Sequence, residues 1–365
     1  MRIMLFDASR EWSGGANRVL LFSKELMRRG HHVTVCCLPG FEMACRLELA
    51  GIPFHTLNPG SDVNVMAVPE LYRMIRENDI DLIDVHSPKF YWLALMAGRL
   101  SGRPVVITRN VPFRKSGVKK HINGFLYRDL VDQMIAISDK IKRELIEDFR
   151  IDSSSIEVIY DGIDISGFEP SELPASADNR GCPLRIGVMS RLVRGKGLEC
   201  LIDAIPAIVR NVPDAHVVLA GSGEIGEQLR IQAQQLNIGD RITFAGFIED
   251  VPGLLRGMAI TVVPSPQEGM SMSALESMAS GVPVVATTGG GLVDIIVDME
   301  NGLIVAPNDP EALADGVIRL LRSDYRAMGV KAKSVIEEKF ALNRVVDQYE
   351  HLLTPLMHHK QAGAR

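Results

Sequence analysis

The chain has 365 residues, of which 46% are hydrophobic and 23% charged, and its formal net charge is -5. Its length is about twice that of a common domain, so two domains are expected. The modest negative charge argues against a nucleic-acid-binding surface, and the lack of any apolar run of 18 residues argues against a spanning helix.

The N-terminal stretch Met1-Arg-Ile-Met-Leu-Phe6 is apolar for only a few residues before Asp7, too short for a signal-peptide core, which predicts a cytoplasmic protein. The five cysteines, Cys36, Cys37, Cys45, Cys182 and Cys200, contain no C-x-x-C pair and are odd in number. Buried free thiols are expected from them rather than a disulfide framework.

Short β-branched runs alternate with helical-period segments throughout, the pattern of parallel sheets covered by helices on both faces. In the first half the predicted strands are Arg2 to Ala8, His32 to Leu38, Asp81 to His86, Val105 to Thr108, Gln133 to Ile137 and Glu157 to Tyr160. Between the first two, Val19, Phe22 and Leu26 share one helical face, and Gly30 closes the helix. Ser166 to Pro183 is rich in Ser, Pro, Ala and Glu without periodicity, and reads as a linker. The second series of strands is Leu184 to Met189, His216 to Ala220, Arg241 to Ala245, Ile260 to Val263, Val282 to Ala286 and Leu303 to Val305. Beyond Pro310 the pattern is helical only, with Val345, Tyr349 and Leu352 as apolar positions of a last helix packed on a domain surface. Two doubly wound domains bind ligands at the C-terminal ends of their strands, which makes the interdomain cleft the expected site.

Several strand-to-helix turns carry candidate chemistry. Ser13-Gly-Gly-Ala-Asn17 follows the first strand. The run from Arg109 to Arg128 holds Arg109, Arg114, Lys115, Lys119, Lys120 and Arg128 with no acid, interleaved with Phe113, Ile122, Phe125, Leu126 and Tyr127, which suits a phosphorylated or lipid-linked acceptor at an anionic membrane face. Ser190-Arg-Leu-Val-Arg-Gly-Lys-Gly197 places Arg191, Arg194 and Lys196 just before a helix opening near Leu198, where the positive helix end favours an anion such as a pyrophosphate. Gly221-Ser-Gly-Glu-Ile-Gly226 matches the dinucleotide fingerprint G-x-G-x-x-G, but the following strand ends in Phe-Ala-Gly instead of an acid for the ribose, so nicotinamide binding is not expected. Glu268-Gly-Met-Ser-Met-Ser-Ala-Leu-Glu276 leads into a helix that runs to Ser280, with Glu276 about two turns in and Gly281 as its stop. Thr287-Thr-Gly-Gly-Gly291 is a further turn permissive for close backbone approach.

Taken in order, these segments resemble family 4 of the retaining glycosyltransferases, the glycosyl transferases group 1 of GT-B architecture. The resemblance rests on Gly14-Gly15, Ile135 to Ser138, Val158 to Asp164, Arg191 to Gly197, Gly221 to Gly223 and Phe244 to Gly246, then on Pro264-Ser265, the E-x7-E pair, Ser277 to Thr287, Gly290 to Asp294 and Asn301-Gly302-Leu303. It implies an α/β fold of two Rossmann-like domains facing across a cleft: residues 1–165 on the acceptor side, a linker at 166–183, a nucleotide-sugar domain at 184–340, and a helix at 341–365 crossing back to the first domain. It also implies transfer of a sugar, with retention, from a nucleotide-diphosphate sugar to a hydroxyl acceptor, in lipopolysaccharide, glycolipid or other cell-envelope glycan synthesis.

In that family the first acid of E-x7-E contacts donor-sugar hydroxyls and the second the ribose, roles that fall here on Glu268 and Glu276. The basic-loop pair, Arg191 and Lys196, binds the diphosphate and offsets its growing charge, replacing the metal of other glycosyltransferases; no D-x-D motif at a strand end is evident. Gly14, Gly15, Gly221, Gly269, Met270 and Ser271 complete the donor-binding set, with the nucleotide sugar as co-substrate and no metal or other cofactor. The acceptor is expected near Arg109, Asn110, Lys119 and Lys120, with peripheral membrane contact and no nucleic-acid partner. Two departures stand out. Many members carry a histidine in a T-x-H context where this chain reads Thr108-Arg109-Asn110, so that either His86 takes its place or the acceptor chemistry differs; Tyr160-Asp161-Gly162 replaces Pro-Asn-Gly, and Asp suits that turn as well as Asn. A nucleotide-sugar epimerase of the same architecture and a non-catalytic nucleotide-sugar-binding protein are the alternatives, separated by donor turnover with and without acceptor.

Overall fold

The apolar β-branched runs become strands buried from both sides: Ile3 to Phe6 are fully buried, as are Leu82 to Val85 and Ile260. Such strands belong in parallel sheets, whose two faces are covered by crossover helices. The computed structural model describes residues 1–58, 60, 65–110, 118–168, 183–267, 270–289 and 291–362. It divides into two compact units, Met1–Asp164 with Leu342–Arg365, and Ile165–Ala341.

The first unit contains β1 (Arg2–Asp7), β2 (His32–Cys37), β3 (Phe54–Thr56), β4 (Leu82–Val85), β5 (Val105–Arg109), β6 (Gln133–Ala136) and β7 (Ile156–Val158). They form one parallel sheet ordered β3-β2-β1-β4-β5-β6-β7. The order reverses between β1 and β4, which opens a crevice at their C-terminal ends. Its helices are α1 (Gly14–Arg28), α2 (Glu42–Leu49), α3 (Val68–Glu77), α4 (Tyr91–Ser101), α5 (Val118–Asp129) and α6 (Asp139–Phe149). Helix α1 begins where Ser13 accepts a hydrogen bond from the Ala16 amide at 3.3 Å, and Gly30, at φ 87°, turns the chain after it. Edge strand β3 is only three residues long and half exposed, so its sequence carries no alternation to betray it.

The second unit contains β8 (Leu184–Met189), β9 (Ala215–Ala220), β10 (Ile242–Gly246), β11 (Ile260–Val263), β12 (Val284–Thr287) and β13 (Gly302–Val305), with α7 (Leu198–Asn211), α8 (Gly226–Gln235), α9 (Val251–Leu255), α10 (Met272–Ala279), α11 (Pro310–Leu321) and α12 (Tyr325–Val335). The sheet is parallel and ordered β10-β9-β8-β11-β12-β13, with its reversal between β8 and β11. Its core joins Ile186 and Val188 of the sheet to Leu201, Ile205 and Ile208 of α7 and Leu313 and Val317 of α11. Of the expected linker, residues 169–182 lie outside the described residues, and Ile165–Gly167 form a 3-10 turn.

After α12 the chain winds as a π-helix over Ile336–Phe340, breaks at Ala341, and continues as α13 (Leu342–Ala362). Helix α13 belongs to the first unit: Val345, Val346, Tyr349 and Leu353 are buried in its core beside Ile3, Leu5 and Phe22. The Tyr349 ring meets Phe22 edge-on at 5.4 Å, and its hydroxyl donates to Asp84 Oδ2 at 2.7 Å. Burying each of these large side chains contributes about 1.5–3 kcal/mol, which makes α13 part of the core rather than a surface attachment.

Candidate functional site

Within the second unit, backbone contacts stitch the strand-end loops into one rim. The Gly221 amide donates to the Gly246 carbonyl at 2.7 Å, the Ser190 amide to Ala220, and the Leu192 amide to Ser222. Gly221 holds φ 138°, and a Cβ there would fall 1.9 Å from the Ser190 carbonyl oxygen, so no other residue allows the two loops to lie this close. Next along the rim, Gly197 (φ 71°) caps α7 with no side-chain cap bond, and a Cβ on it would strike the Pro264 carbonyl at the exit of β11. The Thr287 hydroxyl then donates to the Ser265 carbonyl at 2.5 Å, joining the exits of β11 and β12. The loop bearing Arg191 and Lys196 lies between β8 and α7, the strand-to-helix position expected from sequence, and so beside the reversal between β8 and β11.

Arg191 is exposed and Lys196 half-buried on this loop, while Arg194 reaches away to Gln228 Oε1 at 3.3 Å. Across the reversal, Met270 and Ser271 are buried. Ser271 is the N-cap of α10 but makes no side-chain cap bond; its hydroxyl meets Ser273 Oγ at 3.0 Å, and the first turn of the helix carries no acid. The positive end of α10 is thus left available to an anion. Glu276 is the fifth residue of α10, just over one turn in rather than two, because the helix starts at Met272. It is half-buried, and burial pushes its carboxyl up to about 7. Glu268 and Gly269 lie outside the described residues.

On the first unit, Gly14 and Gly15 form the first turn of α1 at the exit of β1, and Asn110 follows β5 directly against them. A Cβ at Gly15 would lie 3.2 Å from Asn110 Nδ2. Arg109 corrects the expectation of a basic acceptor surface. Its side chain turns the opposite way from Thr108 and is buried beside Tyr91 and Tyr127; burial opposes its charge, but those two hydroxyls and Glu144 hold its pKa above the usual guanidinium value. In the same run Leu126 and Tyr127 are buried, Phe125 is exposed, and Arg128 donates to the Phe149 carbonyl at 3.0 Å. Residues 111–117 and the side chains of Lys119 and Lys120 lie outside those described.

A buried polar cluster within the first unit was not anticipated from sequence. Arg18 donates to Asp161 Oδ1 at 2.6 Å and to the Tyr160 carbonyl, with its guanidinium 4.2 Å from the Phe22 ring centre. Burial raises the Asp161 pKa against the pull of Arg18. Asp84 accepts from Thr108 at 2.8 Å and from Tyr349, and His86 Nε2 stands 3.1 Å from its Oδ2. Burial works to raise Asp84, yet His86, Tyr349 and Thr108 hold it below the ordinary carboxylate value. His86 lies in the core beside Asp84, 4% exposed. The available signal was Asp84 itself, an acid inside the apolar strand Leu-Ile-Asp-Val.

Comparison with known proteins places both units. A profile described as glycosyltransferase family 4 matches residues 12–166, and one described as glycosyl transferases group 1 matches residues 183–323. A phosphatidyl-myo-inositol mannosyltransferase of Mycobacterium leprae is 27% identical over 378 residues, covering 97% of this chain and 98% of that protein. An uncharacterised glycosyltransferase of Methanocaldococcus jannaschii is 32% identical over 227 residues, 59% of this chain and 58% of that relative, so the match spans less than two thirds of its length. Among solved structures, HepE of Anabaena, in complex with UDP, superposes with a TM-score of 0.86 at 23% identity, over 97% of this chain and all of that one.

Proposed function

The chain belongs to the family 4 glycosyltransferases of GT-B architecture, and from that premise we propose that it transfers a sugar, with retention and without a metal, from a nucleotide-diphosphate donor to a hydroxyl acceptor. The observation that carries the reading is the pair Arg191 and Lys196 on a loop fixed at the reversal point of the second sheet, beside the acid-free N-terminus of α10. Two cations on one strand-exit loop and a helix N-terminus across the reversal suit a diphosphate whose negative charge grows as its bond to the sugar breaks. Glu276 takes the ribose hydroxyls, and Glu268 the hydroxyls of the donor sugar.

Glu268 is the one motif residue that could be nominated as a nucleophile on the far face of the sugar, and the family resemblance gives it hydroxyl recognition instead, which favours front-face transfer. The acceptor oxygen bonds to the anomeric carbon on the face from which the diphosphate departs, and the acceptor's proton passes to an oxygen of the leaving phosphate. The acceptor is a glycan or a lipid-linked alcohol of envelope synthesis, read at the strand ends of the first unit. The Mycobacterium leprae relative, whose name places a phosphatidyl-myo-inositol in its reaction, supports a lipid-linked one. No helix among the described residues is long and apolar enough to cross a membrane; the contact proposed with such an acceptor is peripheral.

Donor turnover tests the reading: release of nucleoside diphosphate from a panel of UDP- and GDP-sugars should require an acceptor for full rate, with the anomeric configuration kept. Acceptor-independent conversion of one nucleotide sugar into another would contradict it. Co-sedimentation with anionic and neutral vesicles tests the membrane contact, which predicts binding to the anionic set; equally negligible binding to both removes it.

A further inference from the structure

The N-terminal ends of the second unit's strands, opposite its rim, carry a row of basic side chains. Arg185 of β8 pairs in register with His216 of β9, and the Val217 amide donates to the Arg241 carbonyl at 2.9 Å, which sets Arg241, just before β10, next in the same row. Residues side by side on neighbouring parallel strands point to one face of the sheet, about 4.8 Å apart along the row. That face is open on β10, where Thr243 is exposed and Ala245 half-buried. The Arg185 side chain is exposed and makes no hydrogen bond or ion pair among the described residues. Arg241 donates to the Pro213 carbonyl at 2.7 Å, and its Nε lies 3.3 Å from Asp240 Oδ2, which leaves further guanidinium donors over. His216 Nε2 lies 2.8 Å from Thr243 Oγ1, a contact that orients the ring. Like charges side by side on neighbouring strands destabilise a sheet. Burial, Arg185 and Arg241 together hold the His216 pKa below the ordinary histidine value. Asp240 acts against them, but its carboxylate is paired with Arg241 and 76% exposed.

We propose that Arg185, His216 and Arg241 form a second anion site, which receives a phosphate group on the open face of the sheet. The two guanidinium groups hold its oxygens from either end of the row, and His216 between them takes up a proton as the group binds. A phosphate monoester carries about -1.5 to -2 charges near neutral pH, which matches two arginines and explains a row otherwise short of negative charge. The site is independent of the transferase reading, since it stands at the opposite strand ends from Arg191 and Lys196. The ligand chemistry is the phosphate group itself, whether on a soluble compound or on a phospholipid headgroup. An anion beside His216 favours its charged form, so the pH at which the ring titrates moves up when the site is filled.

The test follows the His216 ring by NMR in the full chain, with its resonance assigned by its loss in His216→Gln. Sodium phosphate is titrated against sodium chloride at matched ionic strength in the wild type, Arg185→Gln, Arg241→Gln and Arg191→Ala. Co-sedimentation with phosphatidylglycerol and phosphatidylcholine vesicles is measured for the wild type and Arg185→Gln. Phosphate, and not chloride, is expected to move the ring's titration to higher pH in a saturable way. Arg185→Gln, which alters an exposed side chain and should keep the wild-type circular dichroism, is expected to weaken that response at least tenfold. Arg241→Gln should act in the same direction, and Arg191→Ala should leave the response intact. A response to free phosphate assigns the site to soluble phosphate compounds. No response to free phosphate, with phosphatidylglycerol binding that Arg185→Gln weakens at least tenfold, assigns it to the headgroup. Equal responses to phosphate and chloride, with vesicle binding indifferent to Arg185→Gln, overturn the proposal. So does a phosphate response kept in Arg185→Gln and lost in Arg191→Ala, which would put the anion on the donor loop.

Discussion

At the scale of single residues, Glu276 links function to stability most directly. Its folded pKa of about 7 stands above the ordinary glutamate value of 4.5, so the folded chain holds a proton that the unfolded chain has already lost between these two values. Stability is therefore undiminished below pH 4.5 and falls as pH rises toward 7, by a total of about 3 kcal/mol. Glu276→Gln should remove that slope, melting progressively higher than the wild type as pH rises to 8, while it weakens donor and free nucleoside diphosphate alike. Glu268→Gln should chiefly lower turnover. Calorimetric titration with the free diphosphate decides between these roles, and equal weakening by both substitutions contradicts the division. The sequence exposed Glu276 through its spacing from Glu268, but its altered acidity is a product of burial, which spacing does not encode. Arg109 shows the same limit from the other side: in a run of basic residues it reads as surface, and the tyrosines contributed by α4 and α5, with Glu144 of α6, favour its buried charge.

At the scale of elements, the parallel strands of both sheets were legible except β3, because buried strands spell themselves as apolar runs and a three-residue edge strand does not. The glycine turns were legible as turns, but not what they touch. Gly197→Ala would place a methyl group against the Pro264 carbonyl at a positive φ, so the basic loop must shift from β11. Diphosphate affinity is expected to drop by at least tenfold with the unit still folded, as followed by titration alongside circular dichroism; unchanged affinity would mean that the loop's seat on β11 is immaterial. Helix α13 was recognised as a packing helix, whereas the hydrogen bond from Tyr349 to Asp84 spans 265 residues of sequence and left no local trace. Tyr349→Phe keeps the ring on Phe22 and strips one donor from a buried carboxylate, at a cost of about 1–3 kcal/mol. Urea unfolding should show that loss as a lower midpoint with little change in slope, and an unaltered midpoint would show that Asp84 does not depend on Tyr349.

At the scale of the whole molecule, each unit repeats one logic: a parallel sheet whose strand order reverses beside its first strand, with glycine turns and helix starts gathered at that reversal. The ordered series of weak motifs made this architecture readable from sequence, since most of its motifs mark strand exits. The proposed function makes the rim of the second unit the leaving-group machinery for sugar transfer, with Arg191 and Lys196 stabilising the departing diphosphate. Losing one preorganised charge contact of this kind costs about 3–4 kcal/mol of transition-state stabilisation, or roughly two to three orders of magnitude in rate. Arg194, turned toward Gln228, has no such part. The most direct measurement is single-turnover sugar transfer at saturating donor for Arg191→Ala, Lys196→Ala and Arg194→Ala, with the wild type run in chelator and in added divalent metal. Losses of that size are expected for the first two, a much smaller one for the third, and an unmutated rate indifferent to chelator; equal rates for the three variants, or loss of wild-type activity in chelator, would contradict the roles given to Arg191 and Lys196.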